Sequence, residues 1–425
     1  MDLVKTYGDI IKSAAKKHPR RAFHLINTGL KLETFRTKHL ADKRMPLAYQ
    51  HLNTMGMELS LRALSDPAHC AWTNLFTPVE LFQCFDYNCL SIEFLASYMA
   101  GFKIEDFFID KSAELGIANT LCSYHRSFLG AITSEVFKPA GFATTTSMVC
   151  DGNIATFRYL CERYDIEHFF LDVPTKYSPR AVLYLNEQLR ELISILERKS
   201  GKKFDIDRLR EILERENQSF ALYDSFLLKQ IGKYYPTTVT LSMFMLLATH
   251  LCIGSDKVLS FFQELNEQIE KAPDCDGIRI MWGHLFPFHD ETMRSMFNYS
   301  DRYLLQTTEM HFSSQHPLDV SDPLTALSKK MICNVYNQPF DAKIKMIENL
   351  MMRYQSEALI HFCHWGCRQS CGGVQLLKKR MQELDIPMLI IDGDALDRRS
   401  ASSGQIRTRL EAFYEIVESN RRSGL

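Results

Sequence analysis

Residues 358–394 read ALIHFCHWGCRQSCGGVQLLKKRMQELDIPMLIIDGD, and this stretch contains a whole supersecondary unit. ALIHFCH is an apolar run of strand length, GGVQLLKKRMQELD repeats apolar residues at helical spacing, and IPMLIIDGD is a second apolar run. Strand, turn, helix and strand in this order make a βαβ unit, and such units build parallel sheets. The turn carries Cys363, Cys367 and Cys371 at four-residue spacing, beside His364, Trp365 and the glycines Gly366, Gly372 and Gly373.

The alternation recurs outward from there. IRIMWGHL (278–285) and RYLLQTTEM (302–310) read as buried strands. Upstream, ATTTSMVC (143–150), NIATFRYLCERYD (153–165) and HFFLDVP (168–174) repeat the strand–helix–strand order, and HCAWTNLFTPVELFQCF (69–85) turns through Thr77-Pro78 into a helix. Residues 1–70 look helical and basic, with breaks at proline. From Ser178 to about Lys271 the pattern is again helical, with Asp205 as a helix start. LSMFMLLATHLCIG (241–254) is too short to span a bilayer and contains a histidine, so it reads as a buried helix. The pattern predicts an α/β protein with a helical region over 1–70, a first α/β domain over 71–177, a helical connection over 178–272 and a second α/β domain over 273–425. No sequence repeat marks a duplication.

Across 425 residues, 50 Lys and Arg nearly cancel 51 Asp and Glu, with 46% hydrophobic and 24% charged residues. That balance argues against a nucleic-acid surface or a polybasic membrane anchor. The N-terminus lacks an apolar signal core, so a cytoplasmic location is expected. In a reducing compartment the 12 cysteines are expected as thiols or metal ligands rather than disulfides.

In doubly wound sheets, ligands gather at the carboxyl ends of strands. Cys363 ends its strand, Cys367 lies one helical turn beyond, Cys150 holds the matching place after TTTSMV, and Cys122 in TLCSYHRSFLGAI precedes a helix. Thiols from both domains can therefore converge on one cleft. The absence of a CxxC knuckle argues against structural zinc, whereas an iron–sulfur cube accepts thiolates scattered along a chain. Three cysteine ligands would leave one iron open to a substrate oxygen. The residues alone leave the choice between a cluster and plain burial of small hydrophobes open. His364 and Trp365 would shield a cluster or donate a hydrogen bond to it, or simply pack a turn. His125 and Arg126 open a helix; Arg126 faces a phosphate or partner, or solvent. His284 and His289 in WGHLFPFHD are candidate proton carriers or structural histidines. Asp392, Gly393 and Asp394 end a strand on the cleft side, and Ser402 and Ser403 suit a helix cap.

The segments CSYHRSFLG, SMVCDGNIATFRYL, HFCHWGCRQSCGG and IPMLIIDGDALDRRSASSGQIRTRLEAFYEIVE together resemble the 2-hydroxyacyl-CoA dehydratase family, which includes benzoyl-CoA reductase subunits and double-cubane cluster proteins. The resemblance implies two Rossmann-like parallel-sheet domains with a [4Fe–4S] cluster in their cleft, held by Cys122, Cys150 and Cys367. It further implies an acyl-CoA substrate, and His364 and Arg126 are the candidate catalytic residues. An ATP-dependent activator with its own cluster would inject one electron, and a ketyl radical would expel the hydroxyl group. The partner would be an identical chain or a related subunit. The segment HFCHWGC is closest to the double-cubane branch, whose [8Fe–9S] cluster needs six thiolates. Val79 and Thr308 stand where that branch implies cysteines; Cys363 remains as a further metal ligand, with Cys84, Cys89 and Cys371 as substitutes. A single cube is the first expectation, the double cubane the second, and a non-catalytic partner subunit the third.

Overall fold

The computed structural model describes residues 2–400 and 403–423. Among them, eight strands form two parallel four-stranded sheets. The first contains β1 (Cys70–Thr73), β2 (Asn88–Ser91), β3 (Phe142–Thr146) and β4 (His168–Leu171), in the order β2-β1-β3-β4. The second contains β5 (Ile278–Gly283), β6 (Tyr303–Thr308), β7 (Ala358–His364) and β8 (Met388–Gly393), in the order β6-β5-β7-β8. Both are the same walk: one step out, a crossover back, one step out on the other side. Each sheet therefore reverses direction between its two central strands, where a crevice opens at the carboxyl ends. The α/β class is what the apolar runs predicted, and two Rossmann-like units are what the resemblance implied.

Burial explains why those runs were readable. All seven residues of β7 and all five of β3 are buried, as expected for parallel strands covered on both faces. β2 was not anticipated: Asn88-Cys89-Leu90-Ser91 is short and half polar, and only its ladder with β1, from Cys70↔Asn88 to Thr73↔Ser91, makes it a strand.

The connecting helices start where their caps dictate. Ser178 accepts from Ala181 N–H at 3.0 Å, and Asp205 from Asp207 N–H at 2.9 Å, opening helices Pro179–Ser200 and Ile206–Lys229. The expected helix over 241–254 is shorter. Regular helix runs Val239–Leu246 and then widens into a π-helical turn, Leu247–Leu251. There Thr249 Oγ1 donates back to the Met245 carbonyl at 3.1 Å, and His250 Nε2 turns to Ser313 Oγ at 3.0 Å. One contiguous apolar core joins the N-terminal helices, part of the first sheet and the second sheet, with Trp72 and Trp282 fully enclosed. A second core lies between helices Pro179–Ser200, Ile206–Lys229 and Pro323–Ile332 and the first sheet. All twelve cysteines are free. No described helix is long and apolar enough to cross a membrane. Of the expected caps, Ser402 lies outside the described residues, and Ser403 begins the last helix, Ser403–Ser423.

Candidate functional site

Cys122, Cys150 and Cys367 occupy the same local position: each is the residue at which a helix begins. They precede Ser123–Thr133, Asp151–Tyr164 and Arg368–Cys371. Sulfur stands where a serine or aspartate cap would, without forming a capping hydrogen bond; the amides of Tyr124 for Cys122, Asn153 and Gly152 for Cys150, and Ser370 and Gln369 for Cys367 lie nearby. Such amides favour an anionic sulfur.

Close backbone approaches bring the three segments together. Gly366 has φ +77, and a Cβ there would lie 2.8 Å from Cys122 N and 2.9 Å from the Thr120 carbonyl, so only glycine lets the Cys367 turn rest on the Cys122 turn. A Cβ on Gly152 would lie 3.2 Å from Cys150 Sγ and 3.3 Å from the His125 ring. Gln369 Nε2 donates to the Val149 carbonyl at 3.3 Å, tying the Cys367 turn to the Cys150 turn. Val149 itself has φ +73, a left-handed conformation costly for a β-branched residue and common beside functional groups.

Each thiol faces a different buried imidazole. His364 Nε2 lies 3.1 Å from Cys122 Sγ, His284 Nε2 3.7 Å from Cys367 Sγ, and His125 Nε2 3.8 Å from Cys150 Sγ. For His364 the tautomer follows from its other nitrogen. Nδ1 accepts from Ala395 N–H at 3.0 Å, so the ring proton sits on Nε2 and points at sulfur. Burial depresses all three imidazole pKa values, His125 to about 4, so neutral rings face the thiols. Burial likewise raises the three thiol pKa values. A bound cation would reverse that and convert them to thiolates.

Around this core, Ser123 Oγ donates to Asp394 Oδ1 at 2.6 Å, joining the Cys122 helix to the end of β8. Arg126 donates Nε to the Leu121 carbonyl at 2.9 Å and turns its Nη2 toward Asp394, 4.0 Å away, which makes it a brace. His289 Nε2 approaches the Asp394 carbonyl at 3.1 Å. Trp365 is 51% exposed and shields little, although its N–H donates to the Gly393 carbonyl at 2.8 Å. Cys363 faces away from the cleft, toward Cys371 and Asp392, because neighbouring strand residues alternate sides. Cys84 packs in the second core, and Cys89 sits near Cys70 and Cys252. Thr308 Oγ1 donates to Glu309 Oε2 at 2.9 Å, behind His284.

Two acidic residues here were not anticipated. Glu93 accepts from Ser91 Oγ at 2.6 Å, lies within electrostatic range of Cys150, and has its pKa raised by burial. Glu309 accepts from His284 N–H and from Tyr336 Oη, both at 2.9 Å, and pairs with the buried Lys343 at 2.9 Å. Burial opposes its charge, yet Lys343 and the nearby imidazoles hold Glu309 well below the usual carboxylate range. A lone acid inside the apolar runs LSIEFLASYM and LLQTTEM was the available signal.

Among the described residues no three His, Cys, Asp or Glu side chains close around a single ion. A cluster that spaces its own ligands fits three separated sulfurs better than lone zinc. Among the same residues, the buried His284 Nδ1 and Asn153 Oδ1 lack hydrogen-bond partners.

The comparisons agree with this architecture. The model of the family "2-hydroxyglutaryl-CoA dehydratase, D-component" matches residues 74–417, which hold all three thiols, the second sheet and every strand of the first but β1. The chain belongs to this family. Its similarity to individual dehydratases is distant. It is 20% identical to the (R)-2-hydroxyisocaproyl-CoA dehydratase alpha subunit of Clostridioides difficile over 88% of this chain and 95% of that one. It is 21% identical to the (R)-phenyllactyl-CoA dehydratase alpha subunit of Clostridium sporogenes over 71% and 78% of the two chains. A benzoyl-CoA reductase subunit of Thauera aromatica is 21% identical over 80% and 87%. Dehydratases and a reductase thus share this family, and several members are subunits of larger enzymes.

Proposed function

We propose that this chain is the iron–sulfur subunit of a cytoplasmic enzyme that dehydrates a 2-hydroxyacyl-CoA thioester by one-electron ketyl chemistry, with a [4Fe–4S] cluster held by Cys122, Cys150 and Cys367. The observation that carries the reading is the meeting of three helix-start thiols, drawn from both sheets, in one cleft. When bound, such a cluster supplies an open iron for a substrate oxygen and a one-electron site. Cys84, Cys89 and Cys371 stand away from the cleft, which favours four irons over eight.

The chain's own groups then have definite tasks. His364 directs its Nε2–H at Cys122 and tunes that thiolate. Glu93, held protonatable by burial next to Cys150, is positioned to take or return a proton. Asp394, Ser123 and Arg126 keep the two halves in register. A partner subunit is supported by the alpha-subunit names of the relatives. An ATP-dependent activator is needed to deliver the electron.

Anaerobic purification followed by iron and sulfide analysis tests the reading. About four irons per chain are expected for one cube. A colourless, metal-free chain that still supports dehydration would overturn it. Glu93→Gln should lower turnover by about a hundredfold while leaving bound iron unchanged, the size expected for a lost acid–base group.

A further inference from the structure

Cys363 and Cys371, which the three-thiol cleft leaves aside, meet on the far face of β7. Cys363 Sγ lies 3.7 Å from the Ser370 carbonyl; Cys371 Sγ lies 3.4 Å from the His364 carbonyl and 3.4 Å from Ser370 Oγ. Each sulfur thus rests on the residue adjoining the other, which brings the two side chains together. Their accessibility differs sharply: Cys371 is exposed and Cys363 is 2% exposed. An exposed thiol beside a buried one is the arrangement of an attacking and a resolving cysteine.

We propose that Cys371 and Cys363 form a peroxide-reactive dithiol, with Cys371 as the attacking sulfur and Cys363 as the resolving one. The Cys371 thiolate attacks the terminal oxygen of a hydroperoxide. The O–O bond breaks, a sulfenic acid forms, and an alcohol (water, for hydrogen peroxide) leaves with a proton. The Cys363 sulfur then displaces the hydroxyl group from the Cys371 sulfur. That hydroxyl leaves as water with the Cys363 proton, and an S–S bond forms. The two thiols lose two electrons, and the peroxide gains them. The bond brackets residues 364–370, which carry His364 and Cys367. Oxidation is thereby taken by an outer pair while the cleft sulfur on the same turn is spared.

The test treats the full chain, purified without oxygen, with an equivalent of hydrogen peroxide, then alkylates and digests it for mass spectrometry. A Cys363–Cys371 disulfide is expected, reversed by dithiothreitol, present in Cys367→Ser and absent from Cys363→Ser. In Cys363→Ser, dimedone should trap a sulfenic acid on Cys371. Cys371→Ser should consume peroxide about tenfold more slowly, as loss of the exposed thiol implies. Circular dichroism checks that each variant is folded. A parent chain that forms no Cys363–Cys371 disulfide, a folded Cys363→Ser in which dimedone traps nothing on Cys371, or an unchanged rate in folded Cys371→Ser would overturn the proposal.

Discussion

The thiol–imidazole cleft and the carboxylate cluster around Lys330 are both buried, yet their polar atoms are balanced in opposite ways. Lys330 Nζ lies 2.6 Å from Glu216 Oε1 and also pairs with Glu80, while His316 Nε2 approaches Glu216 Oε1 at 2.7 Å. Burial opposes ionisation of both acids. At Glu216, Lys330 and His316 outweigh it and hold the pKa at about 2; at Glu80, burial wins and pushes it up to about 7. Charge answers charge here without any guest. In the cleft, neutral sulfurs face neutral rings. Unpartnered buried atoms occur in both places, His284 Nδ1 and Asn153 Oδ1 near the thiols and Glu216 Oε2 near Lys330. What separates the two is that ion pairs hold the Lys330 cluster together and none joins the thiols to their rings.

The largest effect should come from the closed cluster. Lys330→Met strands two buried carboxyls and should cost about 3–5 kcal/mol in urea unfolding, without specific loss of iron. A variant as stable as the parent would break the contrast. His364→Phe sits between the two regimes. It leaves the Ala395 amide without its acceptor, worth about 1–3 kcal/mol, and should move the cluster midpoint to a more negative potential. Folded protein with an unshifted potential would show that the ring only packs. Cys122→Ser, Cys150→Ser and Cys367→Ser should each cost about 1–2 kcal/mol, because a buried hydroxyl replaces a thiol, while removing most of the iron. Full iron in all three would remove the ligand set. The closed cluster also predicts a pH slope. Glu80 is held above its unfolded value of 4.5, so its contribution is fully present below pH 4.5 and is lost as pH rises through about 7. Unfolding free energy should therefore decline over that window, and Glu80→Gln should flatten the decline.

Much of the fold was legible because buried parallel strands are apolar on both faces, as β7 is; β8, a half-buried edge strand, was legible from its apolar run alone. The cysteines were legible as helix starts following strands or turns. What escaped was every feature made by distant partners. β2 exists only through its ladder with β1. The pairing of Cys122 with His364 spans 242 positions, and that of Cys367 with His284 spans 83. No local pattern encodes such distances. Cys363 illustrates a subtler failure: its spacing from Cys367 suggested a shared ligand role, but strand alternation turns it to the opposite face. Arg126 was expected at the chemistry, and a carbonyl and a carboxylate instead engage it as a brace.

The contact at Gly366 bears on how anything enters this molecule. Main chain from one half touches main chain from the other there, with no side chain between to slide or fold aside. The seam is pinned at the place where the chemistry would occur, so the halves cannot gape like jaws about it without pulling Cys122 from His364. A side chain introduced at that glycine would wedge the two turns apart, and Cys122 and Cys367 with them.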